Sequence, residues 1–148
     1  MSFLPRMVFD TSTLVSAALR VGSMPHQALV RALAIGEICV STATLSELDK
    51  VLRRSKFDRY QSAAVRAEFA ALIRQHAVLI DVSSDDEANV KPACRDAKDN
   101  LFLALLLASA ADVLVSSDAD LLVLHPWRGV PIVTPAQYLV KGTGIASV

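Results

Sequence analysis

Near its start the chain runs Met7-Val8-Phe9-Asp10-Thr11-Ser12-Thr13, an apolar run that ends in a carboxylate and three hydroxyls. The apolar residues predict a buried strand over Met7–Asp10, and the hydroxyls can cap a helix that continues to about Leu19. A carboxylate beside a buried strand is costly unless it is paired, solvated or bound to a cation. This order of strand, acid and helix therefore points to a site at the end of the strand.

The same alternation of strand and helix continues to residue 139. Strands are predicted at Glu37–Ser41, Ala77–Val82, Asp112–Ser116 and Ile132–Val133, and helices at His26–Ile35, Thr44–Arg54, Ser62–His76, Leu101–Ala110 and Pro135–Leu139. Residues 83–98 are polar and irregular, which predicts a flexible loop. Strands that alternate with helices indicate an α/β fold, here a three-layer, Rossmann-like α/β/α arrangement around a central, mostly parallel sheet of about five strands.

Length and composition predict one domain over residues 1–148, with a core at about 7–140 and flexible ends at 1–5 and 141–148. Hydrophobic residues make up 53% of the chain and aromatic residues only 5%, so the core must be largely aliphatic. No segment approaches the roughly 20 apolar residues that span a bilayer, and the first residues lack the pattern of a secretory signal. Because Cys39 and Cys94 fit no disulfide or metal spacing, we expect reduced thiols in a cytoplasmic protein.

Four carboxylates stand where predicted elements begin or end: Asp10, Glu47, Asp99 and Asp118. The first and last of them follow strands, and the other two lie near the starts of helices. Ligands of parallel α/β sheets bind at the carboxyl ends of the strands. Four carboxylates that converge there would form an oxygen-lined site suited to one or two Mg²⁺ or Mn²⁺ ions and to hydrolysis of phosphodiesters.

Each carboxylate also has an ordinary structural interpretation. Asp10 could only cap the following helix, and Glu47 could belong to a capping box with Thr44. Asp99 could favour a helix N-terminus, and Asp118 could be a turn residue. The joint position of all four at the edge of one sheet favours an active site.

Four further side chains are candidates for support of this site. Ser12 and Ser116 could hydrogen-bond a metal ligand or a phosphate. Asp96 could support the site from outside the ligand set or cap a turn. Asp120 could bind an ion through water or cap the helix that follows Asp118.

The net charge is zero, but the charges are unevenly distributed along the chain. Residues 1–76 carry ten Lys and Arg against six Asp and Glu, whereas residues 77–148 carry five against nine. The basic excess includes Arg53, Arg54 and Lys56, which we predict to contact RNA beside the acidic site. A solvated helix face is the alternative interpretation.

Four motifs carry a resemblance to a known family, which extends from Val8 to Leu139. They are Phe9-Asp10-Thr11-Ser12-Thr13-Leu14-Val15-Ser16-Ala17, Ser41-Thr42-Ala43-Thr44-Leu45-Ser46-Glu47-Leu48, Cys94-Arg95-Asp96-Ala97-Lys98-Asp99-Asn100-Leu101-Phe102-Leu103 and Ala111-Asp112-Val113-Leu114-Val115-Ser116-Ser117-Asp118-Ala119-Asp120-Leu121-Leu122. Each motif alone is weak, but in this order they resemble the PIN domain, the PilT N-terminus nuclease. Within that family they resemble the toxins of toxin–antitoxin pairs.

The resemblance implies an endoribonuclease that depends on Mg²⁺ or Mn²⁺ and is silenced by a small antitoxin protein. It also implies that the four carboxylates named above are the acidic quartet of the family. Two positions depart from the family pattern, since Ser12 replaces the usual Asn and Ser116-Ser117 replaces the more frequent Thr-Gly. The resemblance further implies a homodimer or a higher homo-oligomer, and an apolar helix face that bears Leu29 and Leu33 is the predicted contact.

Two other classes of protein remain open. A receiver-type or phosphatase-like domain would need a second acid near the first strand, where this chain has Phe9 and Ser12. A non-catalytic RNA-binding or regulatory module that keeps the PIN fold would not need the four carboxylates. Metal-dependent cleavage of RNA separates these classes.

Overall fold

The computed structural model describes residues 4–141, in which strands and helices alternate as the sequence predicts. The strands are β1 (Arg6–Phe9), β2 (Glu37–Val40), β3 (Val78–Leu79), β4 (Val113–Val115) and β5 (Ile132–Val133). The helices are α1 (Thr11–Leu19), α2 (Met24–Ile35), α3 (Thr42–Leu52), α4 (Ala63–His76), α5 (Ser84–Ala88), α6 (Asn100–Ser109), α7 (Ala119–Leu122) and α8 (Pro135–Lys141). Two single 3-10 turns occur at Ser55–Phe57 and Ala97–Asp99. Most of the ends that we predicted to be flexible lie outside the described residues.

The five strands form one parallel sheet in the order β3-β2-β1-β4-β5, which confirms the predicted fold class. The chain proceeds outward in one direction from β1 to β3 and then returns to the other side of β1 for β4 and β5. The topological switch point, where such sheets bind ligands, therefore lies between β1 and β4. There Phe9 pairs with Val115, so Asp10 and Ser116 come next on two adjacent strands.

Alternate residues of the strands face two separate cores. On one face, Met7 and Phe9 pack with side chains from α1, α2, α3, α4 and α8. On the other face, Val8 and Leu114 pack with α6, α7 and Trp127. Because strands buried on both faces carry continuous apolar runs, the run before Asp10 reads as a central strand. The two cores make the three layers that the sequence predicts.

Three sequence predictions differ from the structure. Residues 83–98 are not wholly irregular, because Ser83 and Asp86 form a capping box that starts α5 and this helix packs on α6. Strand β3 is shorter than predicted. Leu29 does not belong to an exposed apolar face, since only 4% of it is accessible, whereas Leu33 on the same helix is 40% exposed.

Helix α4 buries the face that bears a charged side chain, Arg66. Arg66, Ala70 and Ile73 point inward, while the apolar residues Val65 and Leu72 of the same helix remain exposed.

Both cysteines are free and buried, as expected for small apolar side chains. Among the helices of residues 4–141, none is long and apolar enough to cross a membrane.

Candidate active site

Asp10 occupies the end of β1 and is held through both carboxylate oxygens. Its Oδ1 accepts a 3.0 Å hydrogen bond from the backbone N–H of Thr13. Asp10 is therefore the N-cap of α1, which was one of the two interpretations of the sequence. The exposed Ser12 lies beside the same oxygen, with Oγ 3.3 Å away. Its Oδ2 accepts a 2.5 Å hydrogen bond from the buried hydroxyl of Ser116 on the adjacent strand. Capping therefore uses only one of the two oxygens.

Ser116 joins Asp10 to Asp118. The hydroxyl that donates to Asp10 also accepts a 2.9 Å hydrogen bond from the backbone N–H of Asp118. The Oδ1 of Asp118 in turn accepts from the N–H of Asp120, which makes Asp118 the N-cap of α7. Asp120 is thus not the cap that we considered possible, because the N-cap of α7 is Asp118, two residues earlier in the chain.

Asp99 lies buried at the start of α6, next to Asp118. Its side chain makes no capping hydrogen bond, and its Oδ2 has no hydrogen-bond partner in the described part of the chain. The pKa of Asp99 is raised to about 7, first by burial and then by Asp118, which lies within hydrogen-bonding reach and carries a like charge. Asp96 and Asp10 contribute to the same pKa through weaker repulsion. Near neutral pH, Asp99 is therefore partly protonated in the metal-free protein.

The pKa of Asp10 is also raised, for the same leading reason. Burial disfavours its charged form, and the hydrogen bonds from Ser116, Thr13 and Ser12 offset only part of that effect. Two buried acids with raised pKa values at the switch point of a sheet are typical of a functional site.

Glu47 is the fourth acid and lies on α3. The capping box of α3 is formed by Ser41 and Thr44, so Glu47 has no part in it and that interpretation is wrong. The Oε2 of Glu47 is buried and lacks a hydrogen-bond partner among residues 4–141. An unpartnered buried carboxylate oxygen is costly, which is the situation that a bound cation would relieve.

The donor set suits a hard divalent cation, because it offers carboxylate oxygens of which two are buried without partners. Within residues 4–141, however, no three acidic, histidine or cysteine side chains stand close enough together to hold a metal ion. Like charges repel, so carboxylates with no cation between them are expected to stand apart. The carboxylates therefore suit a divalent cation by their chemistry and by their position at the edge of the sheet. Their present geometry, however, is not that of a preformed metal site.

A sequence profile described as PIN domain matches residues 6–120. The chain belongs to the PIN domain family. No curated protein matches the sequence at a significant level.

Two solved structures show the same fold as this PIN domain. One is VapBC2 from Rickettsia felis bound to a DNA fragment from its promoter. It has 14% sequence identity and a TM-score of 0.62, and the match covers 86% of this chain and 96% of that chain. The other is VapC20 from Mycobacterium tuberculosis, a toxin that cleaves the sarcin–ricin loop. It has 18% identity and a TM-score of 0.53 over 77% of this chain and 91% of that chain. At these identities the likeness concerns the fold.

The cations that we predicted to contact RNA lie at and beyond the C-terminal end of α3 in the PIN domain. Glu47 lies at the middle of α3, whereas Arg53 follows the last residue of that helix, about 9 Å further along the axis at about 1.5 Å per residue. Arg54 and Lys56 lie beyond it, in the connection to α4, and all three cations are exposed.

Two residues of the PIN domain matter more than the sequence suggested. The Oδ1 of Asn100 accepts a 2.7 Å hydrogen bond from the N–H of Cys94, which ties the segment before Asp99 to α6. Asp96 caps the 3-10 turn between them through the N–H of Lys98. The second residue is Arg66. The sequence contained a signal for it, because its helical spacing from Ala70 and Ile73 places a charged side chain on the buried face of α4.

Proposed function

We propose that this PIN domain is a metal-dependent endoribonuclease and the toxin of a toxin–antitoxin pair. The observation that carries the proposal is that Ser116 joins Asp10 to Asp118 at the switch point of the sheet, with Asp99 next to Asp118. Two of these acids are buried and carry raised pKa values. No positively charged side chain forms an ion pair with any of the three in residues 4–141.

Mg²⁺ or Mn²⁺, as one or two ions, would be held by the carboxylates of Asp10, Asp99, Asp118 and Glu47. Such an ion lowers the pKa of bound water and offsets the charge of a phosphodiester during attack. Ser116 orients Asp10, since its hydroxyl donates a hydrogen bond to the Oδ2 of that carboxylate. Asp99 would have to be ionised to hold the cation, because carboxylates bind cations in the ionised form.

The biological setting is also part of the proposal. The first similar structure is a VapBC complex and the second a toxin that cuts an RNA loop, which supports RNA as substrate and a small antitoxin as partner. An apolar groove of about 420 Å³ between α1, α2 and α4 exposes Val65 and Leu72 to solvent. Exposed apolar surface of this kind is typical of a protein contact, whether with an antitoxin or with a second copy of the chain in a homodimer. We place the protein in the cytoplasm, where RNA is available.

The decisive experiment is cleavage of a mixed single-stranded RNA with Mn²⁺ or Mg²⁺ by the wild type and by Asp10→Asn. Asp85→Asn is the matched control, because it makes the same chemical change at an exposed position on α5. We expect the wild type and Asp85→Asn to cut only with added metal, and a folded Asp10→Asn to lose cleavage. Circular dichroism confirms that each variant is folded.

Other outcomes would contradict the proposal. Equal cleavage by the wild type and Asp10→Asn would indicate a contaminating nuclease and reject the site. Cleavage that persists in EDTA would reject the metal. RNA binding without cleavage under any metal would favour the non-catalytic module that keeps the PIN fold.

A further inference from the structure

An exposed aromatic ring lies among cations on the surface between α1 and α4. Tyr60 is 43% exposed. The guanidinium carbon of Arg59 lies 5.2 Å from the centroid of its ring, and that of Arg20, at the end of α1, lies 5.5 Å from it. Earlier in the same segment, the ammonium of Lys56 lies 5.2 Å from the centroid of the ring of Phe57. We call Arg20, Lys56, Arg59 and Tyr60 together the basic tip.

The positive charge of the basic tip is not neutralised by its neighbours. The nearby acids are already engaged, since Asp58 pairs with Arg66 and Asp49 pairs with Arg74. None of the ion pairs found in residues 4–141 includes Arg20, Lys56 or Arg59. An anionic polymer is therefore the partner that this surface favours.

The segment that carries the basic tip is held from beneath by Arg66, which is only 1% exposed. Its Nη1 donates to the carbonyls of Leu52 and Arg54 at 2.6 and 2.9 Å, and its Nε donates to Gln61 at 3.1 Å. These bonds tie both ends of the segment to one buried side chain. A surface that is ordered before binding loses less entropy when it binds.

We propose that the basic tip is a stacking platform for an unpaired base of the RNA, at a distance from the bond that is cut. The inference rests on the proposed function and adds a substrate subsite to it. An aromatic ring flanked by guanidinium groups is the arrangement on which unpaired bases stack. Either the ring of Tyr60 or the plane of a guanidinium can take the base.

The position of the basic tip fits a strand that also reaches the acids. Helix α1 begins beside Asp10 and ends next to Arg20, and its nine residues span about 14 Å. That length corresponds to about four stacked nucleotides at about 3.4 Å each. An RNA strand that lies along α1 can therefore place one phosphate at the carboxylates and a base at Tyr60.

Binding of a fluorescein-labelled single-stranded RNA to the metal-free protein, measured by anisotropy in EDTA, tests this inference. Tyr60→Ala removes the ring, and Tyr60→Phe keeps it without the hydroxyl. Arg20→Ala removes one cation, and Arg128→Ala is its matched control, since Arg128 is exposed and lies 5.7 Å from the ring of Trp127 elsewhere on the surface. The same RNA in duplex form controls for simple charge attraction.

We expect Tyr60→Ala to weaken single-strand binding by about tenfold, because stacking contributes about that much per base. Tyr60→Phe should bind within about twofold of the wild type, and Arg128→Ala should bind as the wild type does. Arg20→Ala should weaken binding and lower the slope of log affinity against log salt by about 0.7. Duplex RNA should respond to Arg20→Ala but not to Tyr60→Ala.

Wild-type affinity in Tyr60→Ala would overturn the inference, as would an equal loss in Tyr60→Ala and Tyr60→Phe. Equal affinity of the wild type for single-stranded and duplex RNA would also overturn it. The experiment contains no metal and needs no cleavage. Stacking at Tyr60 in a protein that never cuts RNA would therefore support this inference while rejecting the nuclease.

Discussion

The Oγ of Ser116 lies 2.5 Å from the Oδ2 of Asp10, and this hydrogen bond joins the ends of the two strands that flank the topological switch point. The two residues are 106 positions apart in the chain and come together because Phe9 and Val115 pair directly before them. The same hydroxyl accepts from the N–H of Asp118. One buried side chain therefore fixes the relative position of two proposed metal ligands.

Replacement of Ser116 by Ala should reduce cleavage by about 10- to 100-fold, because groups that orient metal ligands have effects of this size. It should also lower the free energy of unfolding by about 1–2 kcal/mol through the lost buried hydrogen bonds. Ser116→Thr keeps the hydroxyl and should retain most of the activity. Cleavage rates at saturating and limiting Mn²⁺ measure the effect, and full activity in Ser116→Ala would show that Asp10 needs no such support.

Glu47→Gln separates a catalytic role from a structural one. We expect cleavage to fall by more than about 100-fold, since a proposed ligand loses its charge. The free energy of unfolding should change by less than about 1 kcal/mol, because Ser41 and Thr44 rather than Glu47 cap α3. Glu87→Gln, at an exposed position of α5, is the control. A variant that unfolds easily but cuts normally would assign Glu47 to the fold instead.

The metal-free protein should become less stable as the pH rises from about 4 to about 7. The pKa of Asp99 is about 7 in the folded state against 3.8 for the ordinary group, so between these values the folded protein holds a proton that the unfolded chain has lost. Asp99→Asn should remove much of this decline. At pH 8 it should raise the free energy of unfolding by about 2–4 kcal/mol.

Urea denaturation in EDTA at a series of pH values measures this dependence. Asp85→Asn should follow the wild-type curve, because its position is exposed. A wild-type stability that rises steadily between pH 4 and 7 would show that Asp99 ionises normally in the folded protein.

Mn²⁺ should raise the melting temperature of the wild type, and the rise should be larger at pH 8 than at pH 6. A ligand that binds only the folded state stabilises it, and binding here must first remove the proton of Asp99. Differential scanning fluorimetry with and without Mn²⁺ measures both effects. Asp10→Asn should show little rise at either pH, and an equal rise in that variant would place the ion elsewhere.

Arg66→Met should lower the free energy of unfolding by about 2–4 kcal/mol, because three backbone carbonyls lose their donor. Arg74→Met is the matched comparison, since it removes the partner of Asp49 in an ion pair that is largely exposed. That change should cost less than about 1 kcal/mol. Chemical denaturation of both variants checks the contrast, and similar losses in the two would contradict it.

The sequence reveals the fold well for a physical reason. Short apolar runs such as Met7–Phe9 can be buried only on both faces of a parallel sheet, so local pattern and tertiary position agree. A carboxylate directly after such a run lies at the edge of the sheet where the strands have their carboxyl ends, however the helices pack on the sheet. The helical character of residues 84–88 was missed, although Ser83 and Asp86 supplied the capping signal.

The sequence by itself thus determined the α/β class, the parallel sheet and the set of acids, because these depend on periodicity and on residues next to one another in the chain. Only the tertiary structure placed Ser116 against Asp10 and Asp99 beside Asp118, and it alone buried Arg66 beneath the basic tip. Hydrogen bonds, desolvation and charge repulsion act over a few ångströms, and residues distant in the chain reach such distances only after the sheet and helices have packed.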